Sequence, residues 1–265
     1  MNNNLAEESQ FTSRAINSNN LRERSNINSS YGTNDFDSWV DSIVGRIDFS
    51  TVLDICCGTG NQLMKYAKKT NVDHIIGVDV SSESLNTADQ RLQSLGVLHY
   101  KLLPVSMEEM FSSAEINTAV FDLISCFYGL YYSKDVSRTL HQMVGHLSGN
   151  GAILIVGPYG RNNAVLFNIL QKYFALPELV LRSSTTFIEN EVIPVLCQQL
   201  TVQVETFVNN VRFPDVKAVM DYWKASTFYS QPHEAAVMRD VESHFQEHGA
   251  FAMEKHVMAC IARKA

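Results

Sequence analysis

The chain has 265 residues, 45% of them hydrophobic and 18% charged, with a formal net charge of −7. This length and apolar content support a sizeable buried core, and an acidic chain without a dense Lys/Arg cluster is a poor nucleic-acid binder. No apolar run approaches the ~20 residues of a membrane-spanning helix, and the five cysteines (Cys56, Cys57, Cys126, Cys197, Cys260) lack zinc-ligand spacing, so neither membrane nor metal is expected.

Residues 1–30 are rich in Asn and Ser and predict a mobile arm. The first residues carry no basic start followed by an apolar stretch, so a cytoplasmic location is expected. Odd thiols lying mostly in apolar runs predict a reducing compartment and buried small hydrophobes. From Tyr31 to Arg46 and just beyond, Phe36, Trp39, Val40, Ile43, Val44 and Ile47 form a helical stripe behind an Asn34/Asp35 start signal.

Strands and helices then alternate. Strands are predicted at 51–56, 73–79, 97–103, 119–126 and 151–157, with helices near 60–69, 82–95 and 134–147. The fourth and fifth strand segments are nearly continuous apolar runs, as in a parallel sheet covered on both faces. Beyond Gly157, helices are predicted at 161–175, 214–229 and 233–248, with mixed character over 178–196. Gln198–Val211 and Phe251–Ala262 are strand-like. The expected fold is a Rossmann-like, doubly wound α/β sheet of seven strands, mostly parallel with the last antiparallel. One domain over 31–265 would carry a substrate-covering lid insertion at about 160–250.

The most informative run is Val52-Leu53-Asp54-Ile55-Cys56-Cys57-Gly58-Thr59-Gly60-Asn61, a strand that breaks into a small-residue turn before a helix. About twenty residues on, Ile75-Ile76-Gly77-Val78-Asp79 is a second strand ending in an acid. This is the first βαβ unit of a nucleoside-binding sheet. Gly58 and Gly60 permit positive φ and close approach to the backbone, and Asp79 can accept hydrogen bonds from both ribose hydroxyls.

Asp54-Ile55-Cys56-Cys57-Gly58-Thr59-Gly60 resembles motif I of the class I S-adenosylmethionine-dependent methyltransferases, with Cys56 where that family most often has its first glycine. Gly77-Val78-Asp79-Val80-Ser81 resembles motif II, and Ser106-Met107-Glu108 stands where the family has Asp-Ala-Glu. Phe121–Cys126 followed by Leu130-Tyr131-Tyr132 resembles motif IV, and Leu147–Ile155 motif V. The resemblance covers about 35–160. It implies a donor site for S-adenosylmethionine, leaving S-adenosylhomocysteine, built from Asp54, Cys56, Gly58, Gly60, Asp79, Val80, Ser106, Met107, Cys126 and Phe127. Tyr31 would cover the donor, and Arg22 or Arg24 would meet its carboxylate.

Ligands bind at the carboxyl ends of parallel strands, which makes Tyr128, Tyr131 and Tyr132 pocket candidates, Tyr132 as a catalytic one. In the expected lid Tyr222, Trp223 and Tyr229 are candidate substrate walls and His233 a candidate base; Asn162 and Asn163 would offer amides. The expected function is methyl transfer to O or N of a small polar or aromatic metabolite, achieved mainly by positioning. The fourth strand lacks the Asn/Asp-Pro-Pro-Tyr/Phe motif used on planar nitrogens (Ser125-Cys126-Phe127-Tyr128), which argues against base or glutamine methylation. Two alternatives are a non-catalytic donor-binding sensor and a nicotinamide-dependent oxidoreductase. The oligomeric state is open between monomer and homodimer.

Overall fold

The computed structural model describes Arg14 and residues 17–69 and 71–264. Of the predicted arm, residues 1–13, 15 and 16 lie outside the described residues. Helix α1 (Ser18–Ser30) occupies most of the remainder, capped by Asn17, whose side chain accepts from Asn20 N. Its Ile27 is buried. Helix α2 (Phe36–Val44) buries the predicted stripe through Val40, Ile43 and Val44.

The alternating segment follows the expected order: β1 (Thr51–Ile55), α3 (Asn61–Tyr66), β2 (His74–Val78), α4 (Ser82–Ser94), β3 (Tyr100–Leu103), β4 (Phe121–Phe127), α5 (Val136–Gly145) and β5 (Leu147–Pro158). Then come α6 (Ala164–Leu170), α7 (Glu178–Thr185), α8 (Ile193–Leu196), β6 (Thr201–Phe213), α9 (Val216–Lys224), α10 (Glu234–His248) and β7 (Phe251–Arg263). The sheet has seven strands in the order β3-β2-β1-β4-β5-β7-β6. β1–β5 pair in parallel, and β7 runs antiparallel to β5.

Several predicted boundaries move, each for a local reason. The third strand starts at Tyr100, past Leu98, which is 83% exposed. The helix predicted from 161 begins at Ala164, since Asn163 before it has φ +61°. The helix predicted over 214–229 stops at Lys224; the indole N–H of Trp223 donates to Phe228 O across the turn that follows. The mixed stretch resolves into α7, a π-helical turn at Ile188–Val192 and α8. Cys197, just past α8, is exposed, unlike the buried thiols Cys57, Cys126 and Cys260.

The chain forms two compact units. The larger holds residues 38–159, 186–206 and 257–265. Its centre is the parallel sheet: Val52, Leu53, Ile55, Leu123, Ile124, Ile153 and Leu154 are fully buried, as strands covered on both faces require. Met110, Ile116, Leu140, Met143 and Val192 complete that core. At the amino end of β4, Asp122 ties three segments together. Its carboxylate accepts from the N–H and hydroxyl of both Ser50 and Thr51 at 3.0–3.1 Å, and from Ser148 Oγ at 2.8 Å. The second unit comprises residues up to 37, 160–185 and 207–256. It packs α1 on α9, and α10 on α6 and α9.

Candidate functional site

The carboxyl ends of β1, β2 and β4 come together in the larger unit, because Ile55 pairs with Val78 on one side and with Cys126 on the other. Cys57 N donates to Val78 O at 3.0 Å, which turns the chain over the end of β2. Asp79 then braces the turn from both sides. Its Oδ2 accepts from Gly58 N and its Oδ1 from Ser81 N, both at 2.8 Å. A carboxylate has about four lone-pair positions, so two remain for other donors. Three residues of the turn adopt positive φ: Cys56 (57°), Gly58 (53°) and Gly60 (81°). For Cys56 this conformation costs on the order of 1 kcal/mol.

Behind the turn lies a buried polar pair. Asp54, 2% exposed, accepts from Ser125 Oγ at 2.6 Å across the β1–β4 pairing. Burial pushes its carboxyl up to about 7; the Ser125 hydrogen bond opposes that and the charge of Asp79 adds to it. The thiols nearby stay protonated. Cys56 is raised first by its hydrogen bond with Cys126 and then by burial, and Cys57 mainly by burial. They act as small apolar groups, not nucleophiles.

The open side of the turn is suited to a nucleoside. A Cβ placed on Gly58 would meet nothing within 4 Å, while Val80 (58% exposed) and Tyr128 (38% exposed) offer apolar surface at the ends of β2 and β4. Met107 is buried in the core and Ser106 is half-buried, its hydroxyl donating to Glu109 Oε2 at 3.3 Å. Cys126 is fully buried and Phe127 half-buried. Tyr128 has φ +54° and bends the chain out of β4. Tyr131 and Tyr132 are half-buried with ring centroids 4.7 Å apart, and Tyr131 meets Phe187 edge-on at 5.8 Å.

A family model described as a methyltransferase domain matches residues 48–186, which include all of this turn and its braces. The chain belongs to the class I S-adenosylmethionine-dependent methyltransferases. A demethylmenaquinone methyltransferase of Leptospira interrogans is 29% identical over 106 residues, 39% of this chain and 41% of that protein. A 2-phytyl-1,4-naphtoquinone methyltransferase of Nostoc is 29% identical over 126 residues, 47% of this chain and 53% of that protein. The chain thus spans about two fifths to a half of these relatives' lengths. Among solved structures, the YcgJ protein of Bacillus subtilis aligns with a TM-score of 0.60 at 17% identity, covering 86% of this chain and 97% of its own. The plantazolicin methyltransferase BpumL, in complex with a pentazolic desmethylPZN analog and SAH, aligns with a TM-score of 0.52 at 15% identity, covering 98% and 95%. These structures share the fold.

In this chain the departure at Cys56 has a structural counterpart that the sequence did not reveal. A Cβ on Gly129 would sit 2.4 Å from Cys56 Cβ and 2.7 Å from its Sγ. The thiol therefore occupies space that glycine leaves beside β4. Gly129→Ala should push the turn aside and weaken S-adenosylhomocysteine binding by on the order of tenfold, about 1.4 kcal/mol. Cys56→Gly in the same chain should restore most of that loss. Titration calorimetry on the single and double variants checks this; additive losses would mean the two positions are independent.

The remaining candidates lie in the second unit. Tyr31 is half-buried at the end of α1, its carbonyl accepting from Arg212 N at 2.9 Å. Arg24 is half-buried on the same helix. Trp223 is fully buried, and Tyr222 is buried with its hydroxyl bonded to Lys255. Tyr229 is half-buried and donates to Glu234. His233 stacks on Phe174 with centroids 5.0 Å apart and bonds Ser230 Oγ at 2.8 Å. Among the described residues no group of three or more His, Cys, Asp or Glu side chains is placed to hold a metal. None of the described helices is long and apolar enough to cross a membrane.

Sequence reasoning passed over Ser125, Gly129 and Lys255. Only Lys255 left a readable signal. It occupies an inward position of an alternating strand, in register with Phe251, Met253 and Val257.

Proposed function

We propose that this protein transfers the methyl group of S-adenosylmethionine to an O or N atom of a small polar or aromatic metabolite. The observation that carries the reading is the Cys56–Gly60 turn held to the Asp79 carboxylate through Gly58 N, within the methyltransferase-domain match. The two lone-pair positions left on Asp79 are assigned to the ribose hydroxyls. Val80, Ser106, Met107, Cys126 and Phe127 are assigned to the adenosine, and the open face over Gly58 to the methionine part. The sulfonium donor supplies an already activated leaving group. What the chain must add is alignment of acceptor and methyl, which can supply ~7–11 kcal/mol. Tyr132 and His233 are the candidates for taking a proton from the acceptor. The acceptor-covering role is assigned to about 160–250, where the half-buried Tyr229 is the exposed member of the predicted aromatic walls and Trp223 is fully buried. The quinone methyltransferases among the partial relatives support an aromatic acceptor for Tyr128 and Tyr131 to contact.

Thermal unfolding with S-adenosylmethionine, S-adenosylhomocysteine and NAD in parallel tests the donor. At a hundredfold excess over Kd the two adenosyl ligands should each stabilise the fold by ~2.7 kcal/mol, and NAD should not. Stabilisation by NAD alone would overturn the reading. Labelled methyl transfer to a panel of phenols, quinols and amines then separates an enzyme from a donor-binding sensor.

A further inference from the structure

Lys255 lies in the second unit with 7% of its surface exposed. Its ammonium donates to Asn163 Oδ1 and to the hydroxyl oxygen of Tyr222, and it sits 4.0 Å from the centroid of the Tyr222 ring. The Tyr222 hydroxyl in turn donates to Asn163 Oδ1 at 3.4 Å. Asn163 and Tyr222 are themselves 4% exposed. The backbone of Asn163 is set at φ +61°, with its N–H donated to Glu254 O at 3.1 Å.

The arrangement is unbalanced in charge. An ammonium carries three donors and a full positive charge, yet both acceptors here are neutral. Among the described residues, the acids and bases around it do not compensate. On β7 itself, Glu254 and His256 alternate away and pair with each other at 2.8 Å. From α9 comes Tyr222, which burial pushes up to about 12, so it stays a neutral phenol. From α1 comes a second cation, Arg24, whose charge is felt by Lys255, Tyr222 and Arg14 alike. Burial first, and Arg24 second, hold the Lys255 amine well below the usual lysine range. A buried amine without a counter-charge is costly when protonated, and an anion beside it removes that cost.

We infer that Lys255, Tyr222 and Asn163, with Arg24 beside them, form a binding site for the carboxylate of a small organic molecule other than the methyl donor. One carboxylate oxygen takes the third Nζ–H of Lys255, and the other faces the Arg24 guanidinium. A single planar oxyanion suits this sparse donor set better than a phosphate dianion, which needs more donors. This assignment goes beyond methyl transfer and does not depend on it.

The test uses the full chain saturated with S-adenosylhomocysteine, with sodium benzoate as probe and sodium phosphate at equal ionic strength as its counterpart. Benzoate should raise the unfolding temperature and phosphate should not. Lys255→Met should lose the benzoate effect and keep the S-adenosylhomocysteine effect. Should that variant fail to fold, Arg24→Gln on the half-buried face of α1 should weaken benzoate about fivefold, the size of one partly exposed charge contact. The inference is overturned by no benzoate shift, an equal phosphate shift, or an undiminished shift in the variant. A benzoate shift that vanishes on saturation with S-adenosylhomocysteine also overturns it, because the cations would then serve the donor's own carboxylate. Absence of any S-adenosylhomocysteine binding would count against methyl transfer and leave the benzoate result standing.

Discussion

Asp79→Ala should cost this protein most of its affinity for S-adenosylmethionine and S-adenosylhomocysteine, at least a hundredfold by titration calorimetry. Two effects combine. The proposed ribose contacts are hydrogen bonds to a charged acceptor, worth roughly 1.5–3 kcal/mol each. The same carboxylate holds Gly58 N and Ser81 N, so alanine also releases the turn on which the donor would rest. Loss of those two braces should lower stability by ~1–2 kcal/mol and leave the fold intact, because Val78 and the core beneath remain buried. Asp79→Asn separates the effects: the amide oxygen keeps one brace while the charge is gone. Binding within a few-fold of wild type in Asp79→Ala would remove Asp79 from the donor site.

The second large effect concerns stability and pH. The Asp54 carboxyl, ordinarily near 3.8, is pushed to about 7 by burial. Between these values the unfolded chain has lost the proton that the folded chain keeps. Asp54 therefore contributes no penalty below about pH 4, an increasing one as pH rises to about 7, and a constant one above. The full span is ~4 kcal/mol at 1.36 kcal/mol per unit. Asp54→Asn never ionises and still accepts from Ser125 Oγ through Oδ1. It should match wild type near pH 4 and exceed it by ~2–4 kcal/mol at pH 8, measured by urea unfolding with an unchanged m-value. Parallel pH profiles for the two proteins would contradict the buried, protonated carboxyl. Asp122 has the opposite sign and serves as the contrast. Though burial works against it, hydrogen bonds from Ser148, Ser50 and Thr51 hold its carboxyl at about 2, so its contribution is present above about 4 and fades as pH falls toward 2.

Both aspartates were visible in the sequence, and their different fates were not. Asp54 was legible as the head of a strand–turn–helix pattern, and Asp122 only as part of an apolar strand. Ser125 lies 71 residues from Asp54, and the register of β1 on β4 alone places its hydroxyl on that carboxylate. The same distance separates Asp122 from Thr51. Trp223 and Tyr222 illustrate the limit in another way. Aromatic residues at helical spacing suit a pocket wall and a core equally well, and only packing shows Trp223 fully buried and Tyr222 bonded to Lys255.

The sequence by itself determined the run from Asp54 to Asp79. The strand, the positive-φ turn, the helix start and the terminal acid lie within one βαβ unit, where glycine spacing and apolar periodicity act over neighbouring residues. It also determined the seven-strand alternation, because buried parallel strands need long apolar runs and those runs are local. Tertiary structure alone decided what presses on that turn. Gly129 makes room for the Cys56 thiol, Asp79 accepts from Gly58 N 21 residues earlier in the chain, and Ser125 meets Asp54. These contacts join segments brought together by strand register and close packing, which no local pattern encodes.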